Sequence, residues 1–256
     1  MHRILRMSIS ISIIPIRIGK DVNIGDNLTE LILSSIKKQK QRLLDNDILV
    51  VTHKIVSKAE GRLVDLNNVR PSKRTRSIAA KQHKDPRIVE LILRESKEIV
   101  KIERGIIITE TKHGFVCANA GVDHSNINHN MASLLPLNPD RSAAKIKNAI
   151  KRRTGKNIAV IITDTFGRPF REGQVNVAIG TSGVKPIIDY RGLKDTFGKE
   201  LQVTEIAVAD EIASAAELVM GKLDRIPAAI IRGLSYKNKQ GSSKELIRKR
   251  RNDLFR

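Results

Sequence analysis

Four polar segments interrupt apolar stretches of this chain, and each is rich in groups that handle anions or hard cations. Thr52-His53-Lys54-Ile55-Val56-Ser57-Lys58-Ala59-Glu60-Gly61-Arg62 offers hydroxyls and cations to a phosphate or carboxylate. The same composition also suits a solvated turn. Asn119 to Asn130 concentrates Asn, His, Gly and Asp. Within it Asp123 is a hard oxygen ligand, and Asn119 and Asn126 are suited to orienting a ribose or a phosphate-bound water. That loop reads equally well as Asx turns that satisfy their own backbone. Asp123-His124 resembles half of a zinc site, but no second His or Cys lies at ligand spacing, so zinc is not expected. Thr163-Asp164-Thr165-Phe166-Gly167-Arg168-Pro169-Phe170-Arg171-Glu172-Gly173 puts a carboxylate and a hydroxyl straight after a buried strand, a common way to hold Mg²⁺ against phosphates. Arg168 and Arg171 could clamp a carboxylate or phosphate there, or form ion pairs on a turn. Met220-Gly221-Lys222-Leu223-Asp224-Arg225-Ile226-Pro227 signals, by itself, only a helix stop before a strand.

Elements at predictable places must position these groups. Residues 11–18 read as a strand, and 19–25 as a polar loop. Asp26 or Asn27 caps a helix with Leu28, Leu31, Ile32 and Ile36 at helical spacing. Asp47 to Thr52 is a buried strand. A short helix covers 74–82. Asp85-Pro86 opens a firmer one whose apolar side runs through Ile88, Leu91 and Ile92 to Ile99. Further strands are expected at 105–109, 115–118, 157–163, 175–179, 184–189, 202–208 and 227–231. Helices are expected at 139–152 and 210–220, the latter stopped by Gly221. Ser242 with Glu245 forms a capping box for a basic terminal helix. Helices and strands mix without regular alternation, and no internal repeat is visible. The expected class is therefore α+β.

Composition narrows the function classes. The 256 residues hold 47 Lys+Arg and 27 Asp+Glu, a net charge of +20. A single cysteine, Cys117, excludes an intramolecular disulfide framework and a Cys-rich zinc site. No apolar run is long enough to span a membrane. The apolar stretch Ile9–Ile14 is interrupted by Ser and reads as a first strand rather than a signal peptide, so a cytoplasmic location is expected. The charge makes nucleic acid the alternative partner, but aromatics are only 3% of residues, which provides stacking poorly. Small anionic substrates explain the balance as well. The common phosphate-binding signatures, G-x-x-x-x-G-K-[ST] and G-x-G-x-x-G, are absent.

Taken together, "GDNL", "VVTHKIVSKAEGR", "ANAGVDHSN", "LLPLNPDRSA", "IITDTFGRPFREGQVNVAIGTSGVKPIIDYRGLKDTFGKEL", "VADEIASAAELVMGK" and "IPAAIIRGL" occur in an order that resembles the coenzyme F420-0:L-glutamate ligase family, the GTP-dependent γ-glutamyl ligases. The resemblance spans about residues 14–234. It implies that the terminal carboxylate of F420-0 is phosphorylated by GTP and then attacked by the amine of L-glutamate, with successive γ-linked additions in some members. It implies Mg²⁺ or Mn²⁺, and K⁺ as an added possibility. It also implies a two-lobed, intertwined homodimer with residues 1–234 as the ligase unit and 235–256 as a basic tail. By position, Asp123, Asp164 and Thr165 match the family's metal ligands. Gly19, Lys20, Asp21 and Val22, then His53, Lys54 and Lys58, then Asn126, then Gly221 to Pro227 (with Lys222, Leu223, Asp224, Arg225 and Ile226) match its GTP contacts. Arg168 and Arg171 are the candidate catalytic cations. After Met-Gly the family often has Glu or Gln, whereas this chain has Lys222, which cannot ligate a metal.

Overall fold

The computed structural model describes residues 10–125, 130–236 and 239–254. The chain opens with β1 (Ser12–Ile16) and α1 (Leu28–Lys38), whose Asn27 cap accepts from the Glu30 N–H. Such a cap stabilises a helix by about 1 kcal/mol. β2 (Ile48–Thr52) follows and runs directly into α2 (His53–Ala59). The polar run after β2 is thus a short helix, not a turn. It buries His53, Ile55, Val56 and Ser57 and leaves Lys54 and Lys58 partly exposed.

β3 (Leu63–Asp65), α3 (Lys73–Gln82) and α4 (Pro86–Glu95) come next. α4 stops earlier than its apolar spacing predicts. Ser96 is already extended, and β4 (Ser96–Glu103) pairs antiparallel with β5 (Ile106–Thr111), Ile99 facing Thr109 and Ile102 facing Ile107. Ile99 therefore belongs to a strand. Its helical spacing from Ile92 and Glu95 coincided with the alternation of Lys97-Glu98-Ile99-Val100-Lys101-Ile102, and pairing with β5 decided between them. β6 (Val116–Ala118) completes this three-stranded sheet, and β7 (Met131–Ser133) pairs with β3.

α5 (Pro139–Thr154) leads to the longest hairpin, β8 (Ala159–Arg168) with β9 (Arg171–Ser182). The sequence predicts a strand that ends at Thr163 and another that begins at Val175. Instead the pairing continues outward to Arg168 opposite Arg171, because each half supplies the other's backbone hydrogen bonds. The expected strands at 184–189 and 202–208 shrink to β10 (Ile188–Asp189) and β11 (Glu205–Ile206), which pair with each other as a two-stranded arm, and α6 (Val208–Met220) takes the end of the second. β12 (Ala228–Arg232) closes the main sheet. The capping box at Ser242 forms, yet it caps a single 3₁₀ turn, Ser243–Leu246, with a second at Arg250–Asn252. The tail is not the predicted helix. Ser242 and Ser243 instead dock onto Asp140 at the start of α5, and Ile247 packs on the main core.

The main sheet has the order β1-β12-β2-β8-β9, with β2 and β8 parallel and the other pairs antiparallel. One face packs on α1, α2 and α5 through Val51, Val160, Ile162, Ile32, Val56 and Ile146. The opposite face packs on α6 through Val50, Ala159, Ile161, Ile212 and Ala216. α5 approaches β9 so closely that a Cβ on Gly180 would lie 2.5 Å from the Pro139 backbone. A separate cluster of Leu66, Val89, Ile92, Ile107 and Leu134 unites α3, α4 and their small sheets. The architecture is α+β, and no helix among the described residues is long and apolar enough to cross a membrane.

Candidate active site

Strand direction gathers the candidate residues. Ile16 pairs with Ala228, Val51 with Ala228 and Thr52 with Thr163. The carboxyl ends of β1, β2 and β8 and the start of β12 therefore share one edge of the sheet. Residues 19–22 follow β1, His53 to Lys58 follow β2, Asp164 and Thr165 lie on β8, and Gly221 to Pro227 precede β12. Open sheets place ligands at such an edge, because loops there can vary while the strands hold them rigid.

The 19–22 loop is pinned by Val22, which is buried in the core, while Gly19, Lys20 and Asp21 stay exposed. Lys20 pairs with Asp26 at 3.1 Å, and the Gly25 N–H reaches the Ala59 carbonyl at the end of α2. The last loop is tied from the other side, where the Thr52 N–H donates to the Pro227 carbonyl at 2.9 Å. Leu223, Asp224 and Arg225 are exposed and Ile226 half-buried. Lys58 sits in the last turn of α2 with no charged partner among the described residues.

Consecutive residues of α2 hold the two key carboxylates. His53, only 3% exposed, places Nε2 3.2 Å from Asp164 Oδ1, with its Nδ1 facing Ser57 Oγ. His53 is expected from the sequence as a nucleotide contact; its side chain is buried and faces Asp164. Lys54 Nζ lies 2.7 Å from Asp123 Oδ2 and also donates to Ser125 Oγ at 2.8 Å. The Asp123 backbone is fixed by two hydrogen bonds with Ser133, at 3.0 and 2.7 Å. Burial pushes the Asp123 carboxyl up, but hydrogen bonds from Lys54 and Ser125 and the Lys54 charge outweigh it and hold the group below its ordinary value. Nearby Cys117 is pushed up to about 12 by burial and by the Asp164 charge, so it is an inert thiol rather than a nucleophile.

Thr165 faces the other way. Its hydroxyl donates to Asn176 Oδ1 at 2.7 Å and accepts from Lys222 Nζ at 2.7 Å. Asn176 Nδ2 donates to Glu217 Oε2 at 2.6 Å, and Lys222 pairs with Glu217 Oε1 at 2.6 Å. Asn176 and Glu217 escaped the sequence reading. The signal for Asn176 was its polar side chain at an inward position of β9; Glu217 had none beyond its place one turn before Gly221. Arg168 and Arg171 lie at the far end of the hairpin, and Arg168 is engaged by the Glu172 and Gly173 carbonyls. Four residues of strand, about 13 Å, separate Arg168 from Asp164. Asn126 lies outside the described residues.

Asp123 and Asp164 are partly exposed carboxylates of a type that suits a hard cation, whereas the Thr165 hydroxyl is engaged by Asn176 and Lys222 on the other face. Among the described residues no group of three or more His, Cys, Asp or Glu is assembled to hold a metal unaided. A hard cation on this carboxylate pair would need further oxygen ligands to complete its shell.

Residues 16–233 match the model of the F420-0:gamma-glutamyl ligase family. The chain is 48% identical over 238 residues to the coenzyme F420:L-glutamate ligase of Methanothermobacter thermautotrophicus, covering 92% of this chain and 94% of that protein. It is 49% identical over 231 residues to the Methanocaldococcus jannaschii protein of the same name, covering 90% of each, and 45% identical over 233 residues to that of Archaeoglobus fulgidus, covering 91% of each. The matched span takes in every strand end that frames the site, and the chain belongs to the F420-0:gamma-glutamyl ligase family.

Proposed function

We propose that this protein is a GTP-dependent, GDP-forming ligase that joins L-glutamate to the terminal carboxylate of F420-0, with further γ-linked glutamates as a continuation of the same chemistry. The observation that supports it most is the convergence at one sheet edge of Asp164, Asp123, Lys54 and Lys58 with the 19–22 and 221–227 loops. The names of the relatives supply the substrates.

A free carboxylate is a poor acyl donor because its leaving group would be oxide. In the first step a carboxylate oxygen of F420-0 attacks the γ-phosphorus of GTP, and GDP leaves with the bond electrons. In the second, the neutral amine of glutamate attacks the acyl carbon, inorganic phosphate leaves, and the amine gives up a proton. Two anions meet in the first step, so the residues here must neutralise charge. Lys58, which has no charged partner among the described residues, offers its ammonium to the phosphates. Lys54 holds Asp123 ionised, and buried His53 fixes the direction of the Asp164 carboxylate. A divalent cation, Mg²⁺ or Mn²⁺, would be held by Asp123 and Asp164 and would supply Lewis-acid neutralisation of the phosphates. K⁺ is a further candidate.

We read the assembly as a cytoplasmic homodimer. In support, the β10–β11 arm presents Leu193, Phe197 and Val203 to solvent, at 55%, 96% and 86% exposure. The test is mass spectrometry of products from purified protein with F420-0, L-glutamate and Mg²⁺, with GTP or ATP. Addition of glutamyl units with GTP is the expected result. No addition with either nucleotide overturns the reading.

A further inference from the structure

Adjacent residues of an extended strand point to opposite faces of the sheet. Asp164 turns to the α2 face, where neighbouring Phe166 joins the first core cluster. Thr165 turns to the α6 face, beside its cross-strand partner Asn176. The two side chains do not converge on one point, so the sheet edge presents two separate places for positive charge.

The α6 place is already occupied. Lys222 Nζ lies 2.7 Å from Thr165 Oγ1, 2.6 Å from Glu217 Oε1 and 3.5 Å from Asn176 Oδ1. This is more than a surface ion pair. Thr165 donates to Asn176, Asn176 donates to Glu217, and Asn176 is 3% exposed. The three oxygens are therefore oriented by one another. Gly221, with φ of 57°, ends α6 and turns Lys222 back over the helix's last turn toward Glu217. The Lys222 side chain remains 58% exposed, so the charge is open to a ligand on its outer side.

A carboxylate, an amide carbonyl and a hydroxyl around one point are oxygen ligands for a hard cation. An ammonium is the protein's own compact point charge. Both cannot sit on the same oxygens, because two cations at that spacing repel strongly. We propose that Lys222 is a tethered cation, filling on the α6 face of β8 the position that a second, dissociable metal ion would otherwise take beside the nucleotide phosphates. The inference rests on the nucleotide and metal reading above. It leaves one exchangeable divalent ion, on the Asp123–Asp164 side.

The experiment is equilibrium dialysis of the full chain with Mn²⁺ and a non-hydrolysable GTP analogue, with bound Mn²⁺ counted by paramagnetic resonance. Wild type is compared with Lys222→Met and Lys222→Gln, each checked by thermal melting. Removing the ammonium without adding a charge should let either variant bind one more Mn²⁺ per protomer than wild type. If neither variant gains an ion, Lys222 does not fill a cation position and the inference is overturned. The wild-type count judges the Asp123–Asp164 reading separately: no Mn²⁺ in wild type with one gained in a variant removes that reading and leaves Lys222 as proposed.

Discussion

The two faces of β8 at the site compensate charge by opposite means. On the α2 face, helix residues that follow β2 without a break meet the carboxylates, His53 on Asp164 and Lys54 on Asp123. His53 is part of the core, so the Asp164 direction is fixed by packing. On the α6 face, a long exposed side chain reaches in from a loop, and only the oxygens it meets are held. A buried support is expensive to remove, whereas an exposed one can be exchanged at little cost to folding. The molecule thus separates a rigid half of its site from an adjustable one.

The sharpest way to break this comparison is His53→Ala. It should cost roughly 3 kcal/mol in denaturant melts, from a cavity and a carboxylate that keeps the Thr165 N–H but loses its His53 contact. A loss as small as that of an exposed variant would show that the α2 face is not rigid. Asp164→Asn comes next. It should keep the fold while turnover falls by about 100-fold or more, the usual scale for losing one preorganised electrostatic group. Retained turnover and Mn²⁺ affinity would remove Asp164 from the site. Lys58→Ala should raise KM for GTP by about tenfold, since a charge-assisted hydrogen bond contributes ~1.5–3 kcal/mol. Steady-state kinetics with varied GTP check this.

On the adjustable side, Glu217→Gln should change stability by less than about 1 kcal/mol, because the Lys222 charge it pairs with is largely screened by solvent. A cost like that of His53→Ala would erase the contrast between the faces. The smallest effect concerns acid. The folded Asp123 carboxyl is held below its ordinary value, so the unfolded chain binds the extra proton and stability rises with pH through the acid range. That contribution is present above the unfolded value, about 3.9, and is lost as pH falls through the folded one. Lys54→Met removes one of the causes, so its melting temperature should fall less steeply with acid than that of wild type.

Local pattern made several elements legible. Asn27 caps α1, Pro86 opens α4 and Gly221 ends α6, because caps and stops depend on a few neighbouring residues. It failed where two periods overlapped, as at Ile99, and where a strand's length depended on a distant partner, as in the β8–β9 hairpin. At the tail the capping box was read correctly and the helix was not, since docking on Asp140 competes with helix propagation in so short a segment.

The sequence by itself offered the candidates for the chemistry: Asp123, Asp164, Thr165, Lys54 and Lys58 stand out as polar groups beside apolar strands, whereas Lys222 drew notice only through the family resemblance. Only the tertiary structure decided what each of them faces. His53 went inward because α2 grows from β2 and packs on the core beside Asp164. Arg168 went outward because the hairpin continued for several residues beyond Asp164. Thr165 met Asn176 and Glu217, from β9 and α6, because alternate residues of a strand serve opposite faces. Spacing along a chain limits which residues can be neighbours, but the pairing register and the face each strand turns to its helices are set by contacts between segments far apart in sequence.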